Sequence, residues 1–209
     1  MNSPKDHRGQ EPLDAVRFMK LAREFDARFE AMLLTGRISK WYSAIGNEGI
    51  TVPAGLALEA GDVLCSLHRD VGAILAFYLD PALAFPGFGF GAPDGRRPEP
   101  EALFYRLACQ VLGKAEGFSR GIERSYHYGH FDEAAGISHV GMISHLGAMI
   151  PVAAGCAFAM KRNGGDRVSS GAGFLEAAVD EGTFGLPRIA RGLEEGREEL
   201  FRVAHLAAI

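Results

Sequence analysis

The chain has 209 residues, 47% of them hydrophobic, enough for one sizeable core, which excludes a mostly disordered protein. Its 22 basic and 26 acidic residues leave a formal charge of -4, so no electrostatic footprint for a nucleic-acid backbone is present. Cys65, Cys109 and Cys156 are odd in number, far apart and outside any CxxC spacing; they read as free thiols in a reducing cytoplasm rather than as a disulfide framework or structural zinc site.

In chain order, residues 1–12 (MNSPKDHRGQEP) read as a flexible lead, polar where a signal peptide needs an apolar stretch. No run approaches the ~18 apolar residues of a membrane span, so a soluble cytoplasmic protein is expected. From Leu13 to Thr35, Val16, Met19, Phe25, Phe29, Met32 and Leu33 recur among charges and Gly36 stands where a C-cap belongs, which predicts a long amphipathic helix. A loop and a small-residue helix over 47–59 follow, with Pro53 in its first turn or bending it. DVLCSL, residues 62–67, is a buried strand by its apolar run. His68, Arg69 and Asp70 come directly after it. Asp70 reads either as the N-cap of a helix over 70–79 or, with its two neighbours, as the rim of an anion site.

Residues 80–100, DPALAFPGFGFGAPDGRRPEP, are too rich in proline and glycine for a regular element and predict a loop. Phe85, Phe88 and Phe90 make that loop either a docking surface or a flap folded over an apolar groove. A helix resumes at EALFYRLACQVLG. The next stretch, to about residue 147, is irregular and glycine-punctuated. AMIPVAAGCAFAMKR then reads as a helix of small residues over 148–161, able to pack closely on a sheet. The 27 glycines suit the tight strand-to-helix turns of an α/β enzyme.

His127, His130, His139 and His145, with Asp132, can be assembled on paper into a metal site, but their spacing lacks the i, i+4 placement of strong zinc motifs, and no metal ligand is assigned. Backbone hydrogen bonds or a pocket lining explain such histidines equally. No cysteine has an activating neighbour in sequence. GNEG at 46–49 and SSGAG at 169–173 place glycines before a helix, where amides hold an anion or simply start the helix.

Taken in order, GRISKWYSAIGNEGITVPAGLAL, GDVLCSLHRDVGAIL, LGKAEGFSRGIERSYHYG and ISHLGAMIPVAAGCAFAMK resemble the α subunit of thiamine-diphosphate-dependent 2-oxo acid dehydrogenases, the decarboxylating components of the pyruvate and branched-chain complexes. The resemblance runs from about Val16 to Val168, broken by the 80–100 loop. It implies an α/β thiamine-diphosphate-binding fold, a parallel sheet flanked by helices. It implies a domain over 13–187 that decarboxylates a 2-oxo acid and passes the acyl group to a lipoyl group. Thiamine diphosphate with magnesium is the implied cofactor. A β subunit, forming a heterotetramer, and a lipoyl-bearing acyltransferase are the implied partners. His68 and Arg69 match a Tyr-Arg pair in which the arginine faces the cofactor diphosphate, a task suited to its fixed charged fork. Ser144 and Leu146 match a Ser-Pro-Leu turn against the aminopyrimidine, with His145 in place of the proline and Ala148 and Met149 in place of a Thr-Gln pair. His127 matches a histidine near the active-site channel. Proton transfer or substrate contact is one reading for it, and ordering its loop is the other.

The pattern breaks after Val168. The family continues with a strand ending in Gly-Asp-Gly and later an Asn-Asn, which supply magnesium's oxygen ligands; this chain runs GGDRVSSGAGFLEAAVDEGTFGLPRIARGLEEGREELF. The simplest description is that central strands and the metal loop are missing and that a charged helical tail, residues 188–209, stands in their place. That would leave the 148–161 helix under-covered unless Ile189, Leu193, Leu200 and Val203 form a covering stripe. Two expectations follow: an α-subunit-like enzyme, or a non-catalytic truncated relative that keeps only the subunit-interaction surface.

Overall fold

The computed structural model describes residues 11–87, 95–145, 147–163 and 169–171. The first helix, α1, spans Glu11–Leu34. Its buried face is Ala15, Phe18, Ala22, Asp26 and Phe29, an i, i+3, i+7 stripe interrupted by one carboxylate. Val16, assigned by sequence to the apolar face, is 55% exposed, because the core stripe lies one residue earlier. Gly36 ends the helix at φ +71°, its N–H donating to the Leu33 carbonyl while the Arg37 N–H reaches Met32. This left-handed cap needs glycine.

Helix α2, Glu48–Leu56, contains Pro53 in its interior, and β1, Val63–Cys65, follows. Helix α3, Val71–Tyr78, is buried on every side, as a helix apolar all round must be. Helices α2 and α3 approach through glycine: a Cβ on Gly55 would lie 2.5 Å from the Ala73 carbonyl oxygen, and one on Gly72 would lie 2.4 Å from Thr51 Oγ1. Asp70 stands at the N-cap position of α3 but makes no cap hydrogen bond; its Oδ2 turns back and accepts from the Leu67 N–H at 2.7 Å. The expected forward cap is thereby corrected. Asp70 closes the turn between β1 and α3.

The region expected to be loop throughout opens with a short helix, α4, Pro81–Ala84, started by Asp80, whose side chain accepts from the Ala82 N–H, and by a proline at the first position. Phe85 packs edge-on against Phe18 at 5.0 Å between ring centres, so this part of the loop covers the core. Phe88 and Phe90 lie outside the described residues. Helix α5 is Pro100–Leu112 and ends on left-handed Gly113.

The glycine-punctuated stretch contains a hairpin that its composition did not announce: β2, His130–Asp132, pairs antiparallel with β3, Ile137–Val140. Helix α6, Met149–Arg162, precedes β4, Ser169–Gly171. The sheet order is β2-β3-β1-β4, with β1 parallel to both β3 and β4. The expected parallel sheet is therefore a mixed one with an antiparallel edge. Ser169–Gly171, read by sequence as a glycine lead into a helix, instead extends the sheet beside β1. The tail, residues 188–209, and Leu146 lie outside the described residues.

Candidate functional site

Four segments far apart in sequence converge at the C-terminal end of β1, the last of them the turn before α6 that carries Ser144. The first is the loop after α1. Asp26, 1% exposed, accepts from Trp41 Nε1 at 3.0 Å and Ser43 Oγ at 2.9 Å, and from the Ala44 N–H. Trp41 also stacks on Phe29 at 4.7 Å. These contacts hold the segment that carries Lys40 and Tyr42. Replacing Asp26 with alanine leaves the buried Ala44 N–H without its acceptor, whereas water can reach Ser43 and Trp41. A loss of about 1–3 kcal/mol is expected, and an unchanged denaturant midpoint would refute this account of the loop.

The second segment is the turn after β1, which carries His68 and the exposed Arg69. The third is the chain after α5. Buried Gln110 clamps it, its Oε1 accepting from the Ser119 N–H at 2.8 Å and its Nε2 donating to the Glu123 carbonyl at 3.1 Å. That clamp leads into His127.

The rings form a row. Lys40 Nζ sits 4.8 Å from the centre of Tyr42, Tyr42 lies 4.4 Å from His68, and His68 meets His127 edge-on at 5.4 Å. His127 Nδ1 lies 3.1 Å from the Arg124 carbonyl, and its Nε2 is hydrogen-bonded to Ser144 Oγ. A ring nitrogen facing a carbonyl must carry the proton in the neutral form, so Nε2 accepts from the serine hydroxyl. Burial pushes the His68 pKa below 6.5, with the neighbouring charges of His127, Lys40 and Arg69 acting the same way against a hydrogen bond to the Ser144 backbone. His68 Nδ1 is buried and has no hydrogen-bond partner among the described residues.

The structure thus brings together His68, His127 and Ser144, three of the five site residues named from the sequence; Arg69 is exposed beside His68 in the same turn, and Leu146 is outside the described residues. It adds Lys40 and Tyr42, which lie within GRISKWYSAIGNEGITVPAGLAL and carry no motif of their own. The remaining histidines are elsewhere. His139 is fully buried, with Nε2 2.7 Å from Ser66 Oγ and Nδ1 2.8 Å from Tyr78 Oη. His130 lies opposite His139 in the hairpin, against Phe118. His145 is exposed in the turn before α6. Among the described residues no three His, Cys, Asp or Glu side chains converge to hold a metal. Cys65, Cys109 and Cys156 form no disulfide.

The cationic groups and the orphaned His68 nitrogen suit a ligand bearing phosphate. The described donor set offers magnesium no carboxylate pair, so the metal half of the implied cofactor does not fit these residues. No helix among the described residues is long and apolar enough to cross a membrane.

No model of a known protein family matches the chain. Among curated proteins, the mouse (Mus musculus) mitochondrial 2-oxoisovalerate dehydrogenase subunit alpha is 28% identical over 177 residues, 83% of this chain. The chain spans about a third of that relative's length, 33%. With the four ordered motifs, this identity supports a distant relationship to the 2-oxo acid dehydrogenase α subunits.

Proposed function

We propose that the chain is an α-subunit-like component of a thiamine-diphosphate-dependent 2-oxo acid dehydrogenase, acting with a β subunit and a lipoyl-bearing acyltransferase in the cytoplasm. One observation carries the reading: residues that the resemblance ties to the cofactor, drawn from the β1 turn, the chain after α5 and the turn before α6, meet in one cluster. When bound, thiamine diphosphate supplies the carbanion that decarboxylation needs. In this reading Arg69 holds the diphosphate, Lys40 adds positive charge, and the Ser144 turn with Leu146 orients the organic ring. His127, with its Nδ1 proton fixed by the Arg124 carbonyl, holds an Nε2 lone pair toward Ser144, from which a proton can be taken or returned.

A second reading, a non-catalytic relative, is favoured by the sequence after Val168, which carries neither the Gly-Asp-Gly nor the Asn-Asn that the resemblance ties to magnesium. One titration separates the two. A charge-assisted contact contributes about 1.5–3 kcal/mol, whereas a micromolar site needs about 8 kcal/mol. The chain alone should therefore bind thiamine diphosphate only in the millimolar range, and Arg69→Ala should weaken that binding at least about 10-fold. Absence of binding at millimolar cofactor, or binding indifferent to Arg69→Ala, would favour the second reading.

A further inference from the structure

Helix α6 is an apolar element with most of its surface uncovered. Only Met149 and Ala153 are buried. Ile150, Ala154 and Phe158 recur every four residues along the outside, flanked by Pro151, Gly155 and Ala159. Phe158 is 68% exposed. A helix of this composition has no reason to face water along its length.

Of the segments outside the described residues, one has the length and pattern to cover it. Residues 1–10 are polar, 88–94 are half as long as α6, and 164–168 are spent in reaching β4. Residues 172–209 follow β4, which packs beside α6. Within them Ile189, Leu193, Gly196, Leu200, Val203 and Ala207 recur at i, i+4, i+7, i+11, i+14 and i+18, the period of one helix face. Glu194, Glu195, Arg197, Glu198, Glu199 and Arg202 all fall off that face. Residues 189–203 as a helix extend about 22 Å, the span of α6. The link from Gly171, at roughly 3.3 Å per residue, reaches either end of α6.

We propose that residues 188–209 dock as an amphipathic helix along the outer face of α6, laying Ile189, Leu193, Leu200 and Val203 over Ile150, Ala154 and Phe158. Gly196, on the same stripe, leaves room for the Phe158 ring. The glutamates that flank the stripe complement Lys161 and Arg162, the basic last turn of α6. Gly192 and Gly196 weaken this helix in isolation, so the segment depends on α6 to form. The inference is independent of any cofactor: the tail acts as the chain's own cover for a face that a partner chain would otherwise have to fill.

The test uses the full chain carrying Ala154→Cys and Cys156→Ser, with a small thiol reagent; Cys65 and Cys109, both buried, report whether the fold is intact. The introduced thiol should label at least tenfold more slowly than in the same chain with Leu193→Asp and Leu200→Asp added, at every protein concentration. A second thiol placed by Leu200→Cys or Leu193→Cys should cross-link to it on oxidation within one chain. Equal labelling with and without the aspartates, together with no intrachain cross-link, would overturn the proposal. So would protection that disappears on dilution, which would mean that a second copy covers α6, or protection that arises only when a partner subunit is added.

Discussion

Replacement of His139 by leucine is expected to cost about 2–6 kcal/mol of stability, a large share of the roughly 5–15 kcal/mol that holds a domain folded. The imidazole is fully buried between Ser66 Oγ and Tyr78 Oη, and neither hydroxyl can reach water. A neutral imidazole donates at one nitrogen and accepts at the other, so it satisfies both partners at once. Leucine fills much of the volume but strands two buried hydroxyls, each costing about 1–3 kcal/mol. Adding Ser66→Ala and Tyr78→Phe to His139→Leu should recover part of the loss, because the stranded groups are then removed. A His139→Leu protein that melts within a degree or two of the parent would show that this buried relay contributes little.

The contact ties the residue after β1 to α3 and β3, and it explains where the sequence was legible and where it was not. Helices α1, α2, α3, α5 and α6 announce themselves by periodicity or by runs of small and apolar residues, and β1 by its apolar run. Strand β3 hides because one of its buried positions is a histidine. Ile137 and His139 face inward, while Ser138 and Val140 are half-exposed, so the alternation is real but one inward residue looks polar. Only the partners Ser66 and Tyr78, more than 60 residues away, turn His139 into a core residue. Strand β4 is Ser-Ser-Gly, with no strand propensity of its own; its pairing with β1 is imposed from outside.

The candidate site shows the same division. His68, Arg69, His127 and Ser144 were reached through ordered motifs. The contacts of His68 with His127 and of His127 with Ser144 are framed by two buried polar clamps, Asp26 on the first loop and Gln110 on the chain after α5. Each sits on a helix among apolar neighbours, where periodicity alone reads it as an exception to the pattern. Tyr42 and Lys40 join the site only because Asp26 fixes their loop. A buried carboxylate inside an apolar helix stripe was the available signal for that loop.

Acidification from pH 7 to about pH 4 is expected to destabilise the protein steeply, and histidines should begin the loss before any carboxylate titrates. Burial pushes the His139 pKa from 6.5 down to about 3, with the facing His130 adding to the effect. Burial also lowers His130, together with the Arg106 charge and against Asp132, and it lowers His68. Between about pH 3 and 6.5 the unfolded chain therefore binds protons that the folded chain refuses. Stability rises with pH across that window and falls as pH drops through it. One fully refused proton is worth about 1.4 kcal/mol per pH unit, so His139 alone removes roughly 3 kcal/mol between pH 6.5 and 4. Glu48 enters later. Its burial favours the protonated form, but hydrogen bonds from Arg23 and the Gly46 N–H outweigh that and hold it below its ordinary 4.5. Its contribution is present above pH 4.5 and is lost only below it. Denaturant midpoints at pH 7, 6 and 5 isolate the histidine window, where stability should already decline. The His139→Leu variant, less stable throughout, should decline with a visibly shallower slope. Midpoints that stay level from pH 7 to 5, or equal slopes in the two proteins, would mean that His139 accepts its proton in the folded state and that the Ser66–His139–Tyr78 relay opens to water.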